Sequence, residues 1–370
     1  MILDISDMQF KRIFSDPKFN LPIRWDNKDF LYTLTELLDS YFEKVKHESS
    51  KHDPDDYADI SIDISELKRV NNLILLAVEK YLDGFPAKAY RNIKDLMKIL
   101  ENTPLKTYYK SISEQLDGAY RREPLNLYRV TCVNDNIPYD RSRVFHTPYY
   151  LRSKVSTSRY SIAGFPSLYL GTSIDLCCEE VHLNPHQEFA LVSRFQFERQ
   201  FERNQTEIKV IELAIKPQDF FNENVTDNYR NNRSIKNSIL NDSYVRSAYI
   251  LWYPLIAACS FIRVNKKDPF AAEYIIPQLL MQWVRSEINI SKSRYDRLVG
   301  IRYFSCASEK ASEMGFNYVF PASGKKTPKS FCPTLVKAFK LTKPYYIHEF
   351  SDTCSCERVL VDDNKLNYVE

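Results

Sequence analysis

The sequence predicts an α+β fold, with a helical N-terminal domain followed by a domain that has a mixed β core. Residues 1–122 hold several long segments with apolar residues at helical spacing. From residue 123 onward, strands and short helices alternate irregularly, which is typical of α+β rather than of a doubly wound sheet. A Gly-x-Gly-x-x-Gly sequence is absent and the chain has only seven glycines, so a Rossmann redox site is not expected.

The N-terminal elements follow from helical periodicity. The segments with such spacing are Asp29–Lys46, Ser65–Tyr81, Lys88–Leu100 and Ser111–Arg122. Lys51–Asp59 is polar, contains Pro54 and is expected to be a loop. Helices of this kind most often form a small bundle, and we expect this one to serve in packing, dimerisation or regulation.

The expected domains are residues 1–122 and 123–370. The charged residues and the proline of Arg121–Pro124 indicate that the helical part ends there. Residues 1–120 carry 17 Lys and Arg against 21 Asp and Glu, a net charge of −4, and the rest carries 34 against 27, a net of +7. The basic C-terminal part suits an anionic ligand, although a solvated basic surface is the commoner explanation. The acidic N-terminal part would repel phosphate, so no nucleic-acid partner is expected. Segment 221–243 is asparagine-rich and reads as an insertion or a lid.

No membrane segment, secretory signal or metal site is expected. The longest apolar stretch, Ala248–Ile262, is too short for a membrane span, and Met1–Asp4 does not open a signal peptide. Most of the eight cysteines lie in apolar segments and are expected to be reduced thiols of a cytoplasmic protein. Cys354 and Cys356 form a pair without a second pair to complete a zinc site.

The most informative stretch is 159–171, which leads into a helix with Glu180. Arg159 suits a pyrophosphate, because a guanidinium donates two parallel hydrogen bonds to phosphate oxygens. Tyr160 or Tyr169 offers a stacking face for a base or a nicotinamide ring, although core packing also explains Tyr169. A carboxylate held nearby can stabilise a cationic sugar transition state. These parts indicate a site at which NAD is consumed rather than used as a redox carrier.

This order of residues, followed by a helical glutamate, resembles the RES domain, a family named for its arginine, glutamate and serine. Its members are bacterial toxins that degrade NAD, with a fold that resembles the NAD-binding core of ADP-ribosyltransferases. The resemblance runs from Leu127–Val130 to Gly300–Ser305, about half the chain. It implies an ADP-ribosyltransferase-like domain with NAD as substrate and no cofactor.

Some RES proteins carry an N-terminal domain that resembles the helical HEPN fold, whose active members cut RNA with an arginine and a nearby histidine. Residues 1–120 lack such a pair. The one match in the chain, Arg141 and His146, precedes Thr147–Pro148 and lies outside any helical pattern. Ribonuclease activity is therefore not expected.

The resemblance implies Arg129, Glu180 and Ser260 as catalytic residues. Arg129 lies in a strand-like run, Leu127–Val133, where a cation needs either a carboxylate or a ligand phosphate as counter-charge. Ser260 lies in an apolar run, and such a hydroxyl is commonly bonded to backbone. Ser305 is its rival, but it comes later than the family order suggests.

The positions of Glu179 and Glu180 on the predicted helix place them on different faces. With Ser173 as cap, Glu180 shares a face with apolar residues such as Leu176, whereas Glu179 lies on a more polar face. Glu180 is therefore the carboxylate expected to point inward. The alternative is that both are surface charges that interact with the helix dipole.

The implied function is cleavage of the bond between nicotinamide and ribose in NAD, by an NAD glycohydrolase or phosphorylase that depletes cellular NAD. Water and inorganic phosphate are the acceptors considered first. A protein ADP-ribosyltransferase and a non-catalytic module that senses NAD or ADP-ribose stay open as alternatives. The expected partners are NAD, an antitoxin or accessory protein that silences the activity, and a second copy of the chain.

Overall fold

The computed structural model describes residues 2–26, 28–51, 58–102, 109–111, 125–133, 139–183, 189–198, 207–221, 243–265, 267–290, 296–322, 330–351 and 353–358. They form two compact units. Unit 1 contains Met1–Lys110 and Leu213–Trp283, and unit 2 contains Ser111–Glu212 and Val284–Glu370.

The elements are named here in chain order. The α-helices are α1 (Asp7–Phe14), α2 (Phe30–Ser49), α3 (Ile64–Leu82), α4 (Pro86–Asn102), α5 (Ile174–Val181), α6 (Ser243–Ala258), α7 (Ile275–Ile290) and α8 (Pro333–Ala338). The strands are β1 (Ile2–Ser6), β2 (Ala58–Asp63), β3 (Tyr109–Ser111), β4 (Leu127–Val133), β5 (Ser167–Gly171), β6 (Phe189–Phe197), β7 (Glu207–Leu213), β8 (Asp296–Phe304), β9 (Phe316–Pro321), β10 (Phe339–Leu341), β11 (Tyr345–Tyr346) and β12 (Glu357–Arg358).

Unit 1 contains the expected helices α2, α3 and α4 together with a small sheet that the sequence did not suggest. The strands β1 and β2 pair in antiparallel fashion, with Ile5 opposite Ile60. The expected loop Lys51–Asp59 is therefore wrong at its end, because Ala58 and Asp59 belong to β2. The expected helix Ser111–Arg122 lies outside the described residues except for Ser111, which ends β3.

The division of the chain differs from the expected boundary at residue 122. Segment 213–283 groups with the N-terminal helices, because α6 supplies aromatic side chains to their core. The Tyr253 ring packs 4.4 Å from the Tyr41 ring of α2, and its hydroxyl donates to the Phe19 carbonyl oxygen at 3.0 Å. The expected junction Arg121–Pro124 and almost all of segment 221–243 lie outside the described residues.

Unit 2 is built on a sheet in the order β12-β10-β6-β4-β5-β9-β8-β7, with β11 also paired to β6. The strands β4, β5, β9 and β8 pair in antiparallel fashion at its centre. On β5, Tyr169 is opposite Val319 and Gly171 is opposite Asn317; on β8, Tyr303 is opposite the same Asn317. This register brings the ends of β5 and β8 to the two sides of the start of β9.

The fold class is α+β, as predicted, with a helical N-terminal region and a mixed sheet. No helix in the described part of the chain is both long and apolar enough to cross a membrane.

Candidate functional site

The loop before β5 is fastened to one face of that strand. The phenol oxygen of Tyr169 is hydrogen-bonded to Ser158 Oγ at 2.9 Å and to Ser161 Oγ at 2.8 Å. Ser161 Oγ also donates to Ser167 Oγ at 2.8 Å. Ser167 lies two residues before Tyr169 and therefore on the same face of β5. Gly164 turns the loop with φ of 80°, a conformation that glycine adopts without strain. Residues 158–167 therefore form a serine-lined loop against the strand.

Helix α5 begins directly after β5 and carries Glu180. Ser173 caps it as predicted, since its Oγ accepts from the Leu176 N–H at 3.2 Å. Gly171 lets the helix lie close to the strand, because a Cβ atom at this position would lie 2.7 Å from Cys177 Sγ. The glycine and the cap together determine where Glu180 lies relative to the sheet.

Glu180 is the carboxylate of α5 that faces the ends of β8 and β9. Its Oε1 atom accepts from Ser305 Oγ at 2.6 Å and from Asn317 Nδ2 at 2.5 Å. Ser305 Oγ in turn accepts from the Ala307 N–H at 3.1 Å, so the serine hydroxyl has a fixed orientation. Among the side chains that the structure describes, none donates to Oε2 of Glu180. One carboxylate oxygen is anchored by two donors, and the other has no donor among the described side chains.

Glu179 points elsewhere. Its Oε1 lies 3.5 Å from Lys310 Nζ, in an ion pair whose two side chains are 38% and 74% exposed. An ion pair in such contact with water contributes little to stability or to a site. The difference in facing that was predicted for the two glutamates is therefore present, and the catalytic role of Glu180 stays a prediction.

Tyr303 lies between the stretch 159–171 and Glu180 in the network of contacts. Burial raises the pKa of its phenol well above the usual value, and Glu180, Tyr169 and Tyr160 raise it further, while Arg159 lowers it. Tyr303 is opposite Asn317, which donates to Glu180, and its ring packs on the ring of Tyr160. Tyr160, Tyr303 and Glu180 are therefore connected through direct contacts beside the end of β8.

Tyr160 takes a different place from the one expected. Its ring lies 4.7 Å from the ring of Tyr303 and is only 1% exposed, so it has no open face for a nicotinamide ring. The stacking role is therefore corrected to a packing role, in which Tyr160 supports Tyr303. Tyr169 is half-buried and is the aromatic of the motif that can reach a ligand. Arg159 is buried close to Tyr303 and is not displayed on the surface.

Arg129 lies on β4, as predicted, and donates from Nη1 to the Phe145 carbonyl oxygen at 2.9 Å. The pKa of Arg129 is lowered to about 10, mainly by burial and also by the charge of Arg143, while Cys177 and Tyr169 act in the opposite direction. Burial also raises the pKa of the Cys177 thiol to about 12, so this neighbour is uncharged at neutral pH. Within the described ranges no carboxylate pairs with Arg129. The cation thus lies beside Tyr169 with a carbonyl oxygen as its partner.

Ser260 does not join this cluster. It belongs to unit 1, where its Oγ donates to the Ile256 carbonyl oxygen of α6 and its own carbonyl oxygen accepts from the Ile23 N–H. The Ser260 hydroxyl is therefore hydrogen-bonded to backbone. The serine that donates to Glu180 is the alternative candidate, Ser305. Asn317 was not anticipated, although a single asparagine in the apolar strand β9 is a signal that a buried polar partner exists.

His146 is a structural residue. Its Nε2 accepts from the Cys332 N–H at 2.9 Å, and its Nδ1 lies 2.8 Å from the Thr147 carbonyl oxygen. Burial lowers the pKa of His146 to about 4, so the ring is neutral at physiological pH. Arg141 pairs with Glu357 at 2.8 Å, and this arginine and histidine do not form a catalytic pair.

Comparisons with known proteins give one informative similarity. The chain is 29% identical over 292 residues to a protein of Bacillus subtilis (strain 168) named "Putative toxin YopC". The match covers 77% of this chain, and it spans 60% of the length of that relative. No family model matches the sequence, and no solved structure matches it.

Proposed function

We propose that this protein is a toxin-like enzyme that cleaves the bond between nicotinamide and ribose in NAD, with water or inorganic phosphate as acceptor. The observation that carries the proposal is the state of the Glu180 carboxylate. Ser305 and Asn317 hold its Oε1 atom, and its Oε2 atom is left without a donor among the described residues. A fixed carboxylate with one unengaged oxygen can stabilise a positive charge that develops on a ribose.

The surroundings of Glu180 suit a dinucleotide. Arg129 has a carbonyl oxygen as partner and can pair with a diphosphate, which supplies the counter-charge that a half-buried guanidinium needs. Tyr169 raises the pKa of both Arg129 and Tyr303, and its half-buried ring can frame the nicotinamide ring. Arg129 would thus bind the phosphates of NAD, and Glu180 would face the ribose that reacts.

The chemistry needs a positioned charge more than a general acid. When the C–N bond breaks, its electron pair goes to the pyridinium nitrogen, which becomes neutral and leaves without taking up a proton. The ribose then resembles an oxocarbenium ion, as in glycoside cleavage. Oε2 of Glu180 stabilises that cation, and an acceptor oxygen forms the new bond to the anomeric carbon. If the acceptor is water, its proton passes to solvent.

The toxin-like character is supported by the similarity to the relative named as a toxin. An enzyme that depletes NAD harms its own cell unless it is silenced, so we expect an antitoxin or an accessory protein as partner. We expect a cytoplasmic location, where NAD is available, and a homo-oligomer formed through unit 1.

The experiment is to incubate the purified protein with NAD, with and without inorganic phosphate, and to identify the products by mass. ADP-ribose with nicotinamide would identify hydrolysis, and ADP-ribose 1″-phosphate would identify phosphorolysis. Label that stays on protein would instead identify ADP-ribosyl transfer. Tight binding of NAD without release of nicotinamide would contradict the proposal and identify a sensing module.

The matched variants are Glu180→Gln and Glu179→Gln, which remove the same charge from adjacent positions of one helix. We expect Glu180→Gln to lower the rate of nicotinamide release by about 10²–10³-fold, the usual effect of removing one preorganised electrostatic group. Glu179→Gln should keep the rate, because its carboxylate faces solvent and Lys310. Equal rates in the two variants would remove Glu180 from the mechanism.

A further inference from the structure

A second cationic group of side chains lies at the other end of β5. Arg152 and Arg285 both lie over the ring of Phe165, with their Cζ atoms 5.7 Å and 4.8 Å from the ring centroid. Arg152 also lies 5.0 Å from the ring of Tyr149. Phe165 is 37% exposed and lies in a loop that is held by backbone hydrogen bonds. Arg152, Arg285 and Phe165 are called the arginine–phenylalanine cluster below.

The charges of the cluster favour an anion. Arg285 is half-buried, and burial is the main cause that lowers its pKa, with the charge of Arg152 lowering it further. The two guanidinium groups therefore lie in one another's field. Arg152 has no carboxylate partner within the part of the chain that the structure describes. A phosphate between or beside the two guanidinium groups would offset their repulsion.

The cluster and Glu180 lie at opposite ends of β5. Arg285 donates to the Ala322 carbonyl oxygen at 3.3 Å, and the Ala322 N–H donates to the Pro166 carbonyl oxygen at 3.0 Å, next to Phe165. Glu180 lies at the other end, where its partner Asn317 is opposite Gly171. The strand Ser167–Gly171 between them spans about 13 Å, at about 3.3 Å per residue. The two ends of one extended dinucleotide can occupy two such sites.

The chemistry of the cluster fits one end of that molecule. Because the two guanidinium groups already lie over the Phe165 ring, a purine can pack against its exposed edge, and a guanidinium binds phosphate oxygens in bidentate fashion. We propose that the arginine–phenylalanine cluster binds the adenylate moiety of the dinucleotide, with adenine against the exposed edge of Phe165 and a phosphate against Arg152 and Arg285. The inference rests on the proposed function for the choice of dinucleotide, and it concerns a different set of residues.

The test is binding of two half-molecules to the full chain, measured by calorimetry. AMP carries the adenylate half of NAD, and nicotinamide mononucleotide carries the other half. We expect Arg152→Gln and Phe165→Leu each to raise the Kd for AMP by about tenfold, which corresponds to one charged hydrogen bond or one lost aromatic contact. The Kd for nicotinamide mononucleotide should be unchanged in both variants. Lys154→Gln is the matched control, because it removes an exposed charge from the same segment and should change neither Kd.

Two outcomes would overturn the inference. The first is a wild-type protein that binds nicotinamide mononucleotide but not AMP. The second is an AMP affinity that is the same in Arg152→Gln, Phe165→Leu and the control. Arg152 is exposed, so its variant is expected to fold, and an unchanged melting temperature verifies this. Because AMP binding requires no turnover, a protein that binds AMP through these residues but releases no nicotinamide would contradict the proposed function alone.

Discussion

The side-chain amide of Asn317 donates to Oε1 of Glu180 at 2.5 Å, across 137 positions of sequence. Asn317 is buried on β9, where the strand pairs with both β5 and β8, so its own position is rigid. A hydrogen bond to a charged acceptor is stronger than one between neutral groups. The carboxylate of Glu180 is therefore oriented by the sheet and not only by the helix that carries it.

Replacement of Asn317 by alanine should lower the rate of NAD cleavage by about tenfold or more, because a carboxylate that can rotate stabilises the ribose cation less well. The KM should change little, since Asn317 contacts Glu180 and has no place at the phosphates in our proposal. Steady-state kinetics separate these two constants. A rise in KM with unchanged kcat would instead assign Asn317 to substrate binding.

The two candidate serines give opposite expectations. Ser305→Ala removes the second donor to Glu180 and should lower kcat, whereas Ser260→Ala removes a bond to the Ile256 carbonyl oxygen and should leave kcat unchanged. Both hydroxyls are buried, so both variants should lose about 1 kcal/mol of stability. Nicotinamide release and urea denaturation, measured on both proteins, give the comparison. Loss of activity in Ser260→Ala with a normal rate in Ser305→Ala would return the role to Ser260.

Arg129→Gln should weaken binding of ADP-ribose by about 10- to 100-fold, the range for one lost charged hydrogen bond. The physical reason is that the described neighbours offer Arg129 a carbonyl oxygen but no carboxylate, so a ligand phosphate is its expected counter-charge. Lys337→Gln removes an exposed charge of the same unit and serves as control. Calorimetric titration measures both affinities. If both variants bind ADP-ribose as well as wild type does, Arg129 is a structural cation.

Gly171→Ala should lower both stability and activity. The new Cβ atom would lie 2.7 Å from Cys177 Sγ, so either the thiol must turn away from the Tyr128 carbonyl oxygen or α5 must move and carry Glu180 with it. Overpacking of this kind costs about 1–3 kcal/mol. The double variant Gly171→Ala/Cys177→Ala removes the colliding sulfur and should recover part of both losses, which thermal melting and the NAD assay can measure. A double variant no better than the single one would show that the contact with Cys177 is not the cause.

His146 should make the fold sensitive to acid. Its pKa is lowered from 6.5 to about 4 by burial, so between these values the unfolded chain binds a proton that the folded chain does not. The stability that this histidine contributes is therefore present above pH 6.5 and is lost as the pH falls toward 4, by about 3 kcal/mol in total. Urea denaturation at pH 7 and pH 4.5 measures the loss. His146→Asn should be less stable at pH 7 but should show a smaller decrease between the two pH values; an equal decrease would assign the acid sensitivity to other groups.

Local patterns predicted the elements that carry the site. The bounds of β4 match the strand-like run Leu127–Val133, and the cap Ser173 follows from the preference of serine for helix N-termini. The helix positions of Glu180 and Glu179 predicted that they face different sides of α5, because the face on which a residue lies depends only on positions a few residues away. The strands β1 and β2 were missed because two short strands are stable only as a pair, and their pairing joins residues that are far apart in sequence.

The sequence by itself determined the helices α2, α3 and α4, the strand β4, the α+β fold class, and which glutamate of α5 faces inward, since each depends on side-chain spacing within one element. Only the tertiary structure decided that Ser305 rather than Ser260 meets Glu180, that Asn317 joins them, and that Tyr160 is buried beneath Tyr303. The reason is that these contacts depend on the register of β5, β9 and β8, which places residues more than a hundred positions apart side by side. A pattern of near neighbours carries no information about such a register.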